Sequence, residues 1–145
     1  MNSNTIRNYK QKLKLSNLQR EVLVGLLLGD ATLETQNNGR TWRLKIEQGE
    51  GHKNYVWHLY DVFQNWVLTP PRVREVRVRG KIYKKVVFQT LSHPTFRFYA
   101  HQFYKNGRKV VPKLINRWLT PRNLAYWYMD DGSMKSLESK AIIFN

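Results

Sequence analysis

The sequence predicts an α+β fold in which helices alternate with pairs of antiparallel strands. Three observations carry that expectation. A nearly all-apolar stretch of helical character lies near the start, at residues 18–29. Two segments, 31–48 and 72–90, alternate like strands around turn signals. A second helical stretch, ending in paired aspartates, copies the first 101 residues later.

The elements follow in order. Ser16-Asn17-Leu18-Gln19 is a capping-box pattern, so a helix should start there. Val22, Leu23, Leu26 and Leu27 leave it almost no polar face, so it should be buried on most sides, ending at Gly29-Asp30-Ala31. In residues 41–48, Trp42, Leu44 and Ile46 alternate with Arg43, Lys45 and Glu47, which reads as a half-buried strand. The Asn37-Asn38-Gly39 turn makes 31–36 its partner. Val56, Leu59, Tyr60, Phe63 and Val67 recur at helical spacing over 52–67, and Pro70-Pro71 stops that helix.

Residues 72–90 form a second hairpin around Gly80, with a break in alternation expected near Glu75-Val76. Pro94 opens a third helix, TFRFYAHQFY, followed by a basic connector. Thr120 as N-cap and Pro121 at the first helical position start the last helix.

That last helix resembles the first. LVGLLLGDA (23–31) aligns with LAYWYMDDG (124–132), and both place an acid at the eighth position, Asp30 and Asp131. Each acid sits at the C-terminal end of an apolar helix, where the helix dipole disfavours it by a few tenths to about 1 kcal/mol. Packing two such helices together raises that cost. A divalent cation reverses the sign, because oxygen-rich acidic sites suit Mg²⁺.

Charge narrows the function. Lys and Arg number 25 against 10 Asp and Glu, a net +15, which favours a polyanion such as nucleic acid. The hairpin at 72–90 carries Arg72, Arg74, Arg77, Arg79, Lys81, Lys84 and Lys85 against the single acid Glu75. No apolar run approaches the ~18 residues of a membrane span. The basic start, residues 1–15, lacks the apolar stretch of a secretory signal. Cysteine is absent, which excludes disulfides and thiolate zinc sites. The YMDD string, Tyr128 to Asp131, is shared with reverse transcriptases, but there it lies in a strand turn rather than at a helix end. His52, His58, His93 and His101 lack a ligand-like grouping.

GLLLGDA (25–31), HKNYVWHLYDVFQNWVLTPP (52–71) and WLTPRNLAYWYMDDGS (118–133) resemble the LAGLIDADG homing endonucleases, in the monomeric two-repeat branch from organellar introns. The resemblance implies an αββαββα half-domain at 16–117, the beginning of a second repeat at 118–145, and a basic extension at 1–15. It implies that Asp30 and Asp131 ligate Mg²⁺ or Mn²⁺ and position a water. The carbonyls of Gly29 and Asp130 would face the metal, and Lys109 would stabilise charge at the site. The reaction would be hydrolysis of both strands of a long, asymmetric duplex DNA site. Arg40, Arg43, Lys45, Glu47, Arg72, Arg74, Arg77, Arg79, Lys81, Lys84, Lys85 and Gln89 are the DNA-contact candidates. Intron RNA is the alternative partner, with the same fold serving as a splicing maturase. A DNA-binding remnant without chemistry is the third class. The location would be a mitochondrion or chloroplast.

The second repeat has barely begun at Asn145, where SKAIIFN reads as its first strand. A fragment, a split gene whose partner chain supplies the rest, or a degenerate relic would each give this pattern. Alone, such a chain is expected to cleave weakly or not at all and to retain DNA affinity.

Overall fold

A computed structural model describes residues 3–131, and the side chains of residues 4–130. Two compact units are present. One takes residues 1–14 and 32–101; the other takes 15–31 and 102 onward.

The first unit is built on a four-stranded antiparallel sheet of β1 (Thr32–Glu34), β2 (Arg43–Gly49), β3 (Arg72–Val78) and β4 (Lys81–Gln89), in the order β1-β2-β4-β3. The expected partner strand is therefore real but short. One sheet face is the core. Leu33, Leu44, Ile46, Val86 and Phe88 are buried there, and helix α3 (Lys53–Val62) packs on β2 and β4 with Val56 and Leu59 fully enclosed. The helix expected over 52–67 ends early. The chain turns through a 3₁₀ segment, Gln64–Trp66, that buries Phe63 and Trp66.

The register of β3 on β4 runs unbroken from Arg72↔Val87 to Val78↔Lys81. The break expected near Glu75-Val76 does not occur. Alternation fades there because both faces of β3 are largely exposed, Val73 at 60% and Val78 at 48%, so no buried face imposes a pattern. The two-residue turn Arg79-Gly80 has φ of 53° and 79°, the left-handed pair that matches strand twist.

An additional helix, α1 (Ser3–Lys12), occupies the basic extension. Its polar sequence gives little local reason for a helix. Tertiary bonds supply one: Tyr9 Oη donates to the Asn65 carbonyl, and His93 Nε2 donates to the Lys10 carbonyl at 3.0 Å. His93 Nδ1 meanwhile accepts from the Thr95 amide at 3.0 Å, and its ring meets Trp66 edge-on at 5.1 Å. That histidine is structural. Helix α4 (Thr95–Phe103) follows, with Phe96 against Trp66.

The second unit centres on α2 (Asn17–Leu28) and α6 (Pro121–Asp131), which pack on each other. The Ser16–Gln19 capping box is formed in both directions, at 3.1 and 3.0 Å. Thr120 and Asn123 exchange the equivalent bonds at the start of α6, at 3.2 and 2.8 Å. Asn123 is fully buried, and its side-chain Nδ2 donates to the Trp118 carbonyl, 2.6 Å away, at the end of the short helix α5 (Ile115–Trp118). A small hairpin, β5 (Tyr104–Lys105) and β6 (Arg108–Lys109), turns on Asn106-Gly107. The strand expected in SKAIIFN lies outside the described residues.

The α2–α6 contact is close because α2 presents glycine. A Cβ on Gly25 would overlap the Asn123 carbonyl and stand 3.0 Å from Tyr126 Cβ. In a free helix Gly25→Ala should stabilise by about 0.5–1 kcal/mol. Here the overlap should reverse the sign, to a loss of about 1–3 kcal/mol in urea unfolding. A gain would mean that the helices do not touch at this point.

Candidate active site and nucleic-acid interface

The two acid-bearing helix ends meet within the second unit. At the end of α2 the Gly29 and Ala31 amides both donate to the Leu26 carbonyl, at 3.0 and 3.2 Å. The Asp30 amide points elsewhere and donates to Asp130 Oδ2. Gly29 has to be glycine for this, because a Cβ there would overlap the Asp130 carboxylate. Gly25 and Gly29 stand one helical turn apart, opposite Tyr126 and Asp130. The repeat alignment pairs these same positions, Gly25 with Tyr126 and Gly29 with Asp130. The symmetry of the two copies is thus broken where they touch: small on α2, larger on α6.

Asp130 is 3% exposed, whereas Asp30 is exposed at the surface. The carboxylate of Asp130, rather than only its carbonyl, is therefore part of the site, a role the sequence reading did not assign it. Asp131 closes α6, and its carboxylate lies outside the described side chains.

Lys109 arrives from β6. Its Nζ donates to the Gly29 carbonyl at 2.7 Å and to the Ala31 carbonyl. An ammonium on carbonyls at and just past the C-cap of α2 offsets the partial negative charge that makes an acid unfavourable there. The Gly29 carbonyl, expected to face metal, already accepts this bond. Lys109 as a whole residue is exposed, but its ammonium is held between two carbonyls. Desolvation lowers its pKa below 10.5, while the negative charges of Asp130 and then Asp30 push it back up. Tyr126, packed against Gly25, has its phenol pKa raised by burial, with Arg122 opposing.

Two acids lie near Lys109 at this point: Asp130, whose carboxylate holds the Asp30 amide, and the exposed Asp30. Such a set suits a hard divalent cation such as Mg²⁺ or Mn²⁺. Among the described residues no three His, Cys, Asp or Glu side chains cluster as a ready-made cage.

The DNA-contact candidates lie on the first unit. Register puts Arg43, Lys45, Glu47, Arg72, Arg74, Lys81, Lys85 and Gln89 on the sheet face opposite the core. Arg77 and Lys84 point the other way, in line with Ile46 and Val86, and do not join them. Arg79 sits in the hairpin turn, and Arg40 precedes β2 with its carbonyl accepting from Arg97. On the shared face Glu47 meets three cations, Arg43 pairs with Glu34 at 2.7 Å, and Arg72 donates to Gln89 at 3.2 Å.

Two outcomes follow for the helix ends. Asp130→Ala strands the Asp30 amide and should cost about 1–3 kcal/mol in denaturant unfolding, with Asp130→Asn losing less. Asp130→Asn removes a charge that raises the Lys109 pKa, so NMR titration should find that pKa lower still. An upward move would contradict the placement of the two groups.

A profile of the LAGLIDADG DNA endonuclease family matches residues 20–145. DNA endonuclease I-ChuI of Chlamydomonas applanata is 34% identical over 86% of this chain and 62% of its own length. Cytochrome b mRNA maturase bI2 of Debaryomyces hansenii is 34% identical over 77% of the chain and 44% of its own length. The solved structure of the homing endonuclease I-WcaI bound to its DNA recognition sequence superposes with a TM-score of 0.82 and 32% identity, over 90% of this chain and 58% of that one. The chain therefore spans less than two thirds of the length of each of these relatives. With two thirds or more of its residues aligned in each case and the profile running through both helix motifs, this chain belongs to the LAGLIDADG DNA endonuclease family.

Proposed function

We propose that the chain is part of an intron-homing endonuclease that hydrolyses both strands of a long, asymmetric duplex DNA site. One observation carries the reading: Asp30, Asp130 and Lys109 are gathered where two glycine-packed helices end. In this reading residues 16–117 are the first repeat, 118–145 open the second, and 1–15 precede both. Asp30 and Asp131, one from each repeat, hold Mg²⁺ or Mn²⁺. When bound, the metal lowers the pKa of a water and neutralises charge on the phosphate. The chain's own groups do the rest. Asp30 orients the attacking water from its exposed position. Asp130 fixes the Asp30 backbone. Lys109 sets positive charge beside the scissile phosphate, where it opposes the charge that builds up on the phosphoryl oxygens.

The outward sheet face supplies the DNA contact. Arginines there can read guanine and Gln89 adenine, with the other cations on phosphates. A second chain completes the site where the second repeat is supplied separately. The setting is an organelle, mitochondrion or chloroplast. Similarity to the cytochrome b mRNA maturase supports a second reading, in which the same fold binds intron RNA and assists splicing.

Cleavage of a randomised duplex pool with Mg²⁺, read by sequencing the ends, tests the first reading. With the rest of the second repeat supplied, wild type should leave ends at a common sequence, while Asp30→Ala should leave none yet retain the same duplexes. Ends produced equally by Asp30→Ala would refute the assignment. Splicing that survives Asp30→Ala in a chain that never cuts would favour the RNA reading.

A further inference from the structure

The outward faces of β2, β3 and β4 carry one acid, Glu47, among cations. An acid facing a polyanion repels it, so a surface built only to grip phosphates has no use for one. Its surroundings are specific. Arg74 Nη2 lies 2.7 Å from Glu47 Oε1, Lys85 Nζ lies 3.5 Å from the same oxygen, and Lys45 Nζ lies 3.8 Å from Oε2. The Glu47 side chain is 23% exposed against 48% for Arg74 and 42% for Lys85, so the carboxylate sits beneath those two cations and level with Lys45 at 25%. Three strands contribute: β2 gives Glu47 and Lys45, β3 gives Arg74, and β4 gives Lys85.

We propose that Glu47 is a positioning and specificity residue of the nucleic-acid face. It holds Arg74 from below and makes contact with bare phosphate unfavourable. The inference rests on the DNA reading above. A guanidinium has five N–H donors in a planar fork. Glu47 engages one nitrogen of Arg74, which leaves donors free to meet the O6 and N7 of a guanine. A phosphate competing for Arg74 would draw it off Glu47 and leave the carboxylate facing an anion. A base edge carries no such charge. The acid therefore separates base reading from phosphate gripping by penalising the second. Arg72 provides the contrast on the same strand. Its Nη2 donates to a neutral acceptor, Gln89 Oε1, at 3.2 Å, so nothing opposes its use on phosphate.

The experiment uses the full chain and a pool of duplexes of randomised sequence. Retention is measured over a salt series, and the retained duplexes are sequenced. Glu47→Gln should bind the unselected pool more tightly, with a log-log salt slope steeper by about 1, and should select a less defined sequence. Arg72→Gln should weaken binding to all sequences and make the slope shallower by about 1. Glu47→Asp, which keeps the charge, should restore the wild-type slope at least in part. Thermal melting of each variant checks the fold. Should a folded Glu47→Gln keep the wild-type slope and consensus, or weaken binding as Arg72→Gln does, the role is overturned while the DNA reading stands. Wild type showing no salt-dependent retention would overturn both.

Discussion

The site depends on how closely α2 and α6 approach. Gly25 and Gly29 give α2 a groove without side chains, and Asn123, Tyr126 and Asp130 of α6 fill it. Any larger residue at either glycine would force the helices apart, and the Asp130 carboxylate would lose the Asp30 amide. Packing geometry and catalytic geometry are the same contact here. The buried caps support it. Asn123 both starts α6 and lies in the contact, so the helix N-terminus and the helix pair are fixed by one residue.

Electrostatics then follows from position. Two acids at two helix C-termini are unfavourable through the dipoles and through mutual repulsion, and the buried Asp130 through desolvation as well. The protein offsets this with a backbone amide on Asp130 and an ammonium on the α2 carbonyls. The β5–β6 hairpin exists, on this view, to deliver Lys109 to that point. The second unit thereby gathers acids that a cation would stabilise, while the sheet of the first unit gathers cations that a polyanion would stabilise.

Much of this was legible in the sequence, for local reasons. The Ser16 capping box, the Thr120-Pro121 start and the apolar α2 stretch are chemical signals that act within a few residues. So is Gly80 at the hairpin turn. What stayed hidden was set by tertiary contact. Helix α1 is held by Tyr9 and His93, whose partners lie 56 and 83 residues away along the chain. The facing of Arg77 could not be read because β3 has no buried face to mark its period, and that of Lys84 because β4 buries Val86, Val87 and Phe88 in succession. The β5–β6 hairpin did carry a signal, since Asn106-Gly107 is a strong two-residue turn pair, but the surrounding basic connector masked it. The position of Asp130 was partly legible. The repeat alignment set it opposite Gly29, and only the packing showed that its carboxylate reaches across to Asp30.

Hydrogen exchange at the Asp30 amide tests the central claim most directly. This amide lies past the last turn of α2, and its acceptor is the Asp130 carboxylate across the helix pair. The account predicts exchange slowed well below that of an open loop amide, with protection comparable to the Gly29 and Ala31 amides on either side. Exchange at the rate of an unstructured chain would contradict it, because the two helix ends would then not be joined.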